Sequence, residues 1–301
     1  MIRVLASDGI EASAAEKLTS LGYEVVQQFY PAEELGQALS EFDVLVVRSA
    51  TKVREPIIDE ALKAGRLKLV IRGGVGVDNI DVKYAESKGI SVRNTPNASS
   101  ASVAELAIGH MFCLARHIHE ANVTVREGKW EKKHYNGIEL NGKTLGLIGM
   151  GRIAKCVADR ASALGMNVIY TDIIGHTPAN DPYKFVSLDE LLASADFISL
   201  HIPKAPEPVI GKAEIAKMKD GIYLVNTARG NLICEDALVE ALDSGKVAGA
   251  ALDVFAEEPT KNEKIYTHPK ISLTPHIGAS TGEAQERIGE EVVSIITKMF
   301  S

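Results

Sequence analysis

Thr144-Leu-Gly-Leu-Ile148, followed at once by Gly149-Met150-Gly151-Arg152-Ile153-Ala154, reads as a strand, a glycine turn and the opening of a helix. A G-x-G-x-x-A spacing carries chemical meaning only in that context, and here the context is present. Gly149 permits the tight turn, Gly151 lets the backbone approach a pyrophosphate, and the small Ala154 allows the helix to pack on the strand. Arg152 and Ile153 stand in the first helical turn, where N–H groups face an anion. The next strand ends at Asp172, 23 residues beyond Gly149. That is near the ~20 expected for the acid that accepts hydrogen bonds from an adenosine ribose. Asp172 would repel a 2′-phosphate and is followed by Ile173-Ile174-Gly175 with no cation, so the reading favours NAD over NADP.

On either side the chain keeps one rhythm of short β-rich runs and helix-patterned segments. It begins Ile2–Ala6, Ala12–Leu21, Glu24–Gln27, Ala32–Ser40, Val44–Val47, Ile57–Ala64 and Leu67–Ile71. Such alternation predicts βαβ units and parallel sheets. The continuous Val/Ile/Leu character of several runs predicts helices on both faces. After Thr144–Ile148, strands are predicted at Val168–Tyr170, Phe197–Leu200, Tyr223–Val225, Ala248–Leu252 and Ile271–Leu273, six in all, enough for a doubly wound sheet. Between the halves, the turn-rich Arg93–Ser100 precedes one long helical pattern from about Ser102 to Arg126. Gly128–Asn141, with Trp130, has no clean period and reads as an exposed excursion. Gly282–Met299 reads as an amphipathic helix returning to the first domain. The expected fold class is α/β, with two doubly wound parallel-sheet domains: 1–95 plus 282–301 for substrate, and a Rossmann-type NAD domain over 96–281.

The 301 residues are 46% hydrophobic and 24% charged, the balance of an ordinary globular chain. A net charge of −7 argues against a nucleic-acid or anionic-membrane surface, so an anionic substrate must be caught by locally placed cations. No run approaches the ~20 apolar residues of a membrane span, and the start of the chain is too short in apolar residues for a signal region. A cytoplasmic location is therefore expected. Cys113, Cys156 and Cys234 lack C-x-x-C spacing and read as reduced core thiols, so neither a disulfide framework nor a metal site is expected.

Three further clusters stand at or just beyond strand ends of the second sheet: Asn226-Thr-Ala-Arg229-Gly230, Asp253-Val-Phe-Ala-Glu-Glu258-Pro259 and Thr274-Pro-His276-Ile-Gly278-Ala-Ser280. In open α/β sheets, ligands bind outside the carboxyl ends of the strands. The clusters supply a fixed cation, a carboxylate and an imidazole, the groups that proton transfer on a carboxylate-bearing substrate requires.

These clusters occur together with Val47-Arg-Ser-Ala-Thr-Lys-Val53, Gly74-Val-Gly-Val-Asp-Asn79, Asn94-Thr-Pro-Asn97, Leu140-Asn-Gly-Lys-Thr-Leu-Gly146 and Gly149-Met-Gly-Arg-Ile153. In that series the chain resembles the D-isomer-specific 2-hydroxyacid dehydrogenases over essentially its whole length, most strongly the phosphoglycerate-oxidising members. The resemblance implies NAD-dependent oxidation of D-3-phosphoglycerate to 3-phosphohydroxypyruvate, the first step of phosphorylated serine biosynthesis. It implies that His276 is the acid/base, Glu258 its carboxylate partner, and Arg229 the cation that orients the substrate carboxylate and polarises the reacting oxygen. It implies that Gly74, Val75 and Gly76 offer backbone N–H groups to that carboxylate. Asp253 and the Ala228 carbonyl would hold the nicotinamide amide, with His276 and Gly278 in the same cofactor site. Arg48 and Arg72 match family positions on the substrate side. With Lys132 and Lys133, the latter two reaching in from a partner subunit, they are candidates for the phosphate. A homodimer through the NAD domains, using the long helix and the Trp130 arm, is also implied. The chemistry agrees: a carboxylate on one ring nitrogen fixes the tautomer and stabilises imidazolium, and an arginine fork can grip a carboxylate bidentately.

Ile71, Val75, Ala154 and Asn231 depart from the family's usual residues without removing a catalytic group. Because the chain stops at Ser301, no C-terminal regulatory domain, and no serine feedback through one, is expected. Two other readings stay open: a glyoxylate/hydroxypyruvate reductase or other D-2-hydroxyacid dehydrogenase with the same triad, and an NAD(H)-sensing binding protein like the corepressors that share this fold.

Overall fold

Val44-Leu-Val-Val47 has no polar face. In the structure, a computed structural model that describes residues 1–180 and 182–300, this run is the buried middle of a parallel sheet. Strands β1 (Arg3–Ala6), β2 (Glu24–Gln27), β3 (Val44–Val47), β4 (Leu69–Arg72) and β5 (Ser91–Asn94) stand in the order β2-β1-β3-β4-β5, every pairing parallel. Side chains alternate between the two faces. Val4, Ala6, Val44, Val46, Leu69 and Ile71 pack with Leu18 and with the stripe Ile288, Val292 and Ile296 of the helix Gly282–Phe300. Leu5, Leu45, Val47 and Val70 face the opposite layer, which holds Leu35, Ile57 and Ile58. Burial on both faces is why the inner strands β1, β3 and β4 are dominated by apolar residues.

This first compact unit comprises Met1–Ser99 and the segment from Ala279 onward, of which Ser301, the last residue of the expected 282–301 segment, lies outside the described residues. Two short segments join it through specific contacts. Ala98 is buried beside Ile288, and its carbonyl accepts from Arg287 Nε at 2.8 Å. Gln285 Nε2 donates to the Ala279 carbonyl at 2.8 Å.

Ser100–Gly278 forms the second unit. Its strands are β6 (Thr144–Ile148), β7 (Asn167–Thr171), β8 (Lys184–Phe185), β9 (Phe197–Leu200), β10 (Ile222–Asn226), β11 (Val247–Leu252) and β12 (Ile271–Leu273). Their order is β12-β11-β10-β9-β6-β7-β8, all parallel. The strand order reverses between β6 and β9, which is where such sheets bind dinucleotides.

Two features differ from the sequence reading. The sheet has seven strands among the described residues, not six, because the two-residue β8 joins the edge beyond β7, pairing Lys184 with Ile169 and Phe185 with Tyr170. Two residues show no alternation to read. The strand is held by the Phe185 ring meeting Tyr170 edge-on, with centroids 5.5 Å apart. The predicted helix over 102–126 is two helices, Ser100–Ala115 and Ile118–Arg126, because His117 between them takes a left-handed backbone with φ 53°. For a residue other than glycine that costs on the order of 1–2 kcal/mol. The bend is braced by His117 Nδ1 lying 2.8 Å from Glu120 Oε2, and the Ala115 carbonyl accepts the Ile138 N–H at 2.8 Å. The excursion after Gly128 is irregular apart from a 3-10 turn at Lys132–His134, and Trp130 is 83% exposed.

Candidate active site

At the end of β6 the chain turns at Gly149, whose φ is +88°, a conformation that suits glycine. A Cβ there would lie 2.6 Å from Ile202 Cγ2 and 2.7 Å from the His201 carbonyl oxygen, so close approach also excludes a side chain. The turn is braced from β7. Gly149 N donates to the Thr171 carbonyl and Met150 N to Asp172 Oδ2, both at 2.8 Å, while Asp172 Oδ1 accepts from Ile174 N at 3.1 Å. Asp172, the ribose candidate, thus also shapes the glycine loop.

Helix Arg152–Ala163 starts at the exposed Gly151 with no side-chain cap, and a Cβ on Gly151 would meet nothing within 4 Å. Ala154 is wholly buried against the sheet, Arg152 is exposed and Ile153 half-buried. An uncapped helix N-terminus with open space before it fits a pyrophosphate. Beside it, burial pushes His201 down to about 4, so the ring is neutral, and its Nε2 lies 2.9 Å from Ser199 Oγ.

β10, β11 and β12 lie side by side, Asn226 opposite Leu252 and Leu252 opposite Leu273, so the loops that follow them leave from one edge of the sheet. Asn226 is wholly buried, and its amide ties the first loop. Nδ2 donates to the Arg229 carbonyl at 2.8 Å, and Oδ1 accepts from Ala228 N at 3.1 Å. Arg229 Nη1 donates at 2.6 Å to the carbonyl of Ala228, the group expected at the nicotinamide amide.

In the second loop, Asp253 is 1% exposed and accepts from Thr274 Oγ1 at 2.6 Å, Ile277 N at 2.8 Å and Gly278 N at 2.9 Å. Its carboxylate therefore holds the His276 loop, a role the sequence reading did not assign to it. His276 itself has φ +55°, a strained conformation for a side-chain-bearing residue, and the bonds to Asp253 on both sides of it keep it there.

His276 Nδ1 lies 2.7 Å from Glu258 Oε2, and Glu258 Oε1 accepts from Phe255 N at 3.1 Å. The two side chains are 36% and 37% exposed, and His276 Nε2 has no protein partner among the described residues. Burial by itself would push the Glu258 carboxyl up. The hydrogen bond and charge of His276, the Phe255 N–H and the charge of Arg229 outweigh it and hold the group below the usual carboxylate range. Arg229 therefore acts electrostatically on the same carboxylate that orients His276. With Nδ1 committed to Glu258, Nε2 is the atom left to exchange a proton.

In the first unit, Asp8 and Asn79 brace the loop that carries Arg48. Asp8 Oδ2 accepts from Arg48 N at 2.7 Å and Thr51 N at 3.1 Å, and Asn79 Nδ2 donates to the Arg48 and Thr51 carbonyls at 2.8 and 2.7 Å. The Arg48 guanidinium makes no hydrogen bond or ion pair among the described residues. Arg72 instead folds over its own loop, with Nη1 donating to the Gly73 carbonyl at 3.2 Å and the guanidinium filling the space a side chain on Gly74 would need. The Gly74 N–H, one of the donors expected for the substrate carboxylate, donates to the Arg72 carbonyl at 2.9 Å, because the chain turns back on itself at that point. The N–H groups of Val75 and Gly76 make no hydrogen bond among the described residues. Lys132 and Lys133 are exposed on their 3-10 turn.

Residues 108–278 match the family model for the D-isomer specific 2-hydroxyacid dehydrogenase, NAD binding domain. The chain is 50% identical over 304 residues to a hydroxypyruvate reductase of Thermotoga maritima, covering 98% of this chain and 97% of that one. It is 46% identical over 305 residues to a D-3-phosphoglycerate dehydrogenase of Methanocaldococcus jannaschii, covering 100% of this chain but only 58% of that longer relative. The solved D-lactate dehydrogenase from Aquifex aeolicus, complexed with NAD and lactic acid, matches with a TM-score of 0.85 at 31% identity, over 99% of this chain and 95% of that one. The chain belongs to the D-isomer-specific 2-hydroxyacid dehydrogenase family. Within that class it is an NAD-dependent D-2-hydroxyacid dehydrogenase. Among the described residues no helix is long and apolar enough to cross a membrane.

Sequence reasoning assigned no role to Asn226, Gly230 or Thr274, although each lies inside a quoted cluster. The signal available was a small or hydrogen-bonding residue beside each charged one.

Proposed function

We propose that the protein oxidises D-3-phosphoglycerate to 3-phosphohydroxypyruvate, and catalyses the reverse reduction, as a cytoplasmic homodimer joined through its NAD domain. The observation that carries the reading is the 2.7 Å His276–Glu258 pair, with Arg229 acting on the same carboxylate. Gly149, Gly151, Arg152, Ile153 and Asp172 would hold the dinucleotide, with Ala228, Asp253, His276 and Gly278 at its nicotinamide end. When bound, NAD supplies the hydride acceptor.

His276 takes the C2 hydroxyl proton at Nε2 in oxidation and returns it to the keto oxygen in reduction. Glu258 keeps Nδ1 protonated and stabilises the imidazolium that forms. Arg229 grips the substrate carboxylate and polarises the reacting oxygen. The N–H groups of Val75 and Gly76 are further donors for that carboxylate. Arg48, on its braced loop and with a guanidinium that makes no hydrogen bond or ion pair among the described residues, supports binding of the phosphate, and Arg72, Lys132 and Lys133 are secondary cations.

Hydroxypyruvate reduction is the second reading, favoured by 50% identity to the Thermotoga enzyme across 97% of its length. Arg48→Ala separates the two. A large rise in KM for 3-phosphoglycerate and phosphohydroxypyruvate, with little change for hydroxypyruvate, is expected. Equal effects on phosphorylated and unphosphorylated substrates would leave the second reading standing.

A further inference from the structure

We propose that His110, on the helix Ser100–Ala115, is a positioning residue for His276, acting through Thr274 and Asp253; the proposal rests on the reading of His276 as the proton carrier. His110 is 3% exposed, on a helix whose Ala107, Met111 and Leu114 are also buried. An imidazole in such a place is costly unless its nitrogens are bonded, and both are. Nδ1 lies 3.1 Å from Ser272 Oγ and Nε2 3.0 Å from Thr274 Oγ1.

The direction of each bond follows from the partner at the end of the chain. Thr274 Oγ1 is 2.6 Å from Asp253 Oδ1, and a carboxylate only accepts, so the threonine hydrogen points to Asp253. The threonine oxygen must then accept from His110, which places a proton on Nε2. Burial lowers the pKa of His110, an effect the charge of Asp253 opposes and that of His119 reinforces. A neutral ring with Nε2 protonated leaves Nδ1 bare, to accept from the Ser272 hydroxyl. Every hydrogen therefore points toward Asp253: Ser272 to His110, His110 to Thr274, Thr274 to the carboxylate.

That carboxylate also receives the N–H groups of Ile277 and Gly278, so it holds the residues immediately after His276 while Thr274 holds the loop before it. Asp253 thus fixes the left-handed turn that aims the imidazole. The Thr274 hydroxyl keeps its hydrogen on Asp253 because His110 occupies its lone pair. His110 links the packing of the helix on the sheet to the direction in which His276 points.

The test compares NADH-dependent reduction of hydroxypyruvate and phosphohydroxypyruvate by the wild type, His110→Leu, His110→Gln, Thr274→Val and the Leu/Val double variant, with a thermal melt of each. Because small misplacements of a reacting group cost up to about a hundredfold, His110→Leu is expected to lower kcat by about ten- to a hundredfold at unchanged KM for NADH. His110→Gln, whose amide donates to Thr274 while its carbonyl accepts from Ser272, is expected to restore most of that loss. The double variant is expected to fall no further than the single ones. A folded His110→Leu with wild-type kcat, or a loss that glutamine repairs in the melt but not in turnover, would overturn the proposal.

If His110→Leu does not fold, ¹⁵N NMR of the wild type decides. A proton on Nε2 with a bare Nδ1 is expected, and the opposite tautomer refutes the chain. His276→Asn serves as the control. Turnover surviving in that variant would remove the reading of His276 and this proposal with it, whereas loss there beside an unaffected His110→Leu would remove this proposal alone.

Discussion

Gly230 passes so closely beneath Phe255 that any side chain at 230 would occupy the space of the Phe255 backbone. The loop that carries Arg229 and the loop that carries Glu258 are thereby pressed together, and Phe255 N in turn holds Glu258 Oε1 at 3.1 Å. Gly230→Ala is expected to force the loops apart. Overpacking costs about 1–3 kcal/mol, and the upper end is expected because the obstacle is backbone. Denaturant unfolding and steady-state kinetics check this, with kcat expected to fall more than NADH affinity.

The two glycines of the dinucleotide loop should behave oppositely. Gly151 has an ordinary φ of −76° and open space around it. Gly151→Ala is expected to change stability by less than about 1 kcal/mol, reduced unfolded-state entropy being offset by a poorer cap. NADH affinity should nevertheless drop, because the new methyl takes the pyrophosphate's room. Gly149→Ala, at φ +88° and against His201 and Ile202, is expected to destabilise the fold by more than about 1 kcal/mol. Paired melts and NADH fluorescence titrations separate the two cases.

His276→Asn is expected to keep NADH binding and to lose about 10²–10⁴ in kcat, the range general acid/base help supplies. Near-normal turnover with any of a panel of 2-keto acids would reject the assignment.

Glu258 makes a prediction about pH. Its carboxyl is held below the ordinary carboxylate value in the folded protein. The stability it contributes is therefore fully present above the unfolded value of about 4.3 and is lost as pH falls through the lower folded value. The melting temperature of the wild type is expected to exceed that of Glu258→Gln at neutral pH, with the gap closing below about pH 4. A gap that persists at strongly acidic pH would show that the charge of Glu258 is not its source.

Much of the fold was legible because it is written in local periodicity. Apolar runs such as Val44–Val47 can be buried only between two layers of helices, and Gly149-Met-Gly-Arg-Ile-Ala154 after a strand can be little else than a strand-to-helix turn built for an anion. What escaped the reading has no such period. Lys184–Phe185 is too short to alternate, and His117 breaks a helix with a backbone angle that propensity does not foresee in histidine.

By itself, then, the sequence determined the α/β class, the parallel sheets and the chemical types of group standing at the strand ends, since these follow from side-chain pattern and from residues close together in the chain. Only the tertiary structure decided which atoms meet. Nδ1 of His276 reaches Oε2 of Glu258, Asp253 holds the turn after His276, and Phe255 leaves Gly230 no room for a side chain. These are distances of a few ångströms between residues many positions apart. They are set by the register of β10, β11 and β12 and the packing beneath them, and no local pattern encodes that register.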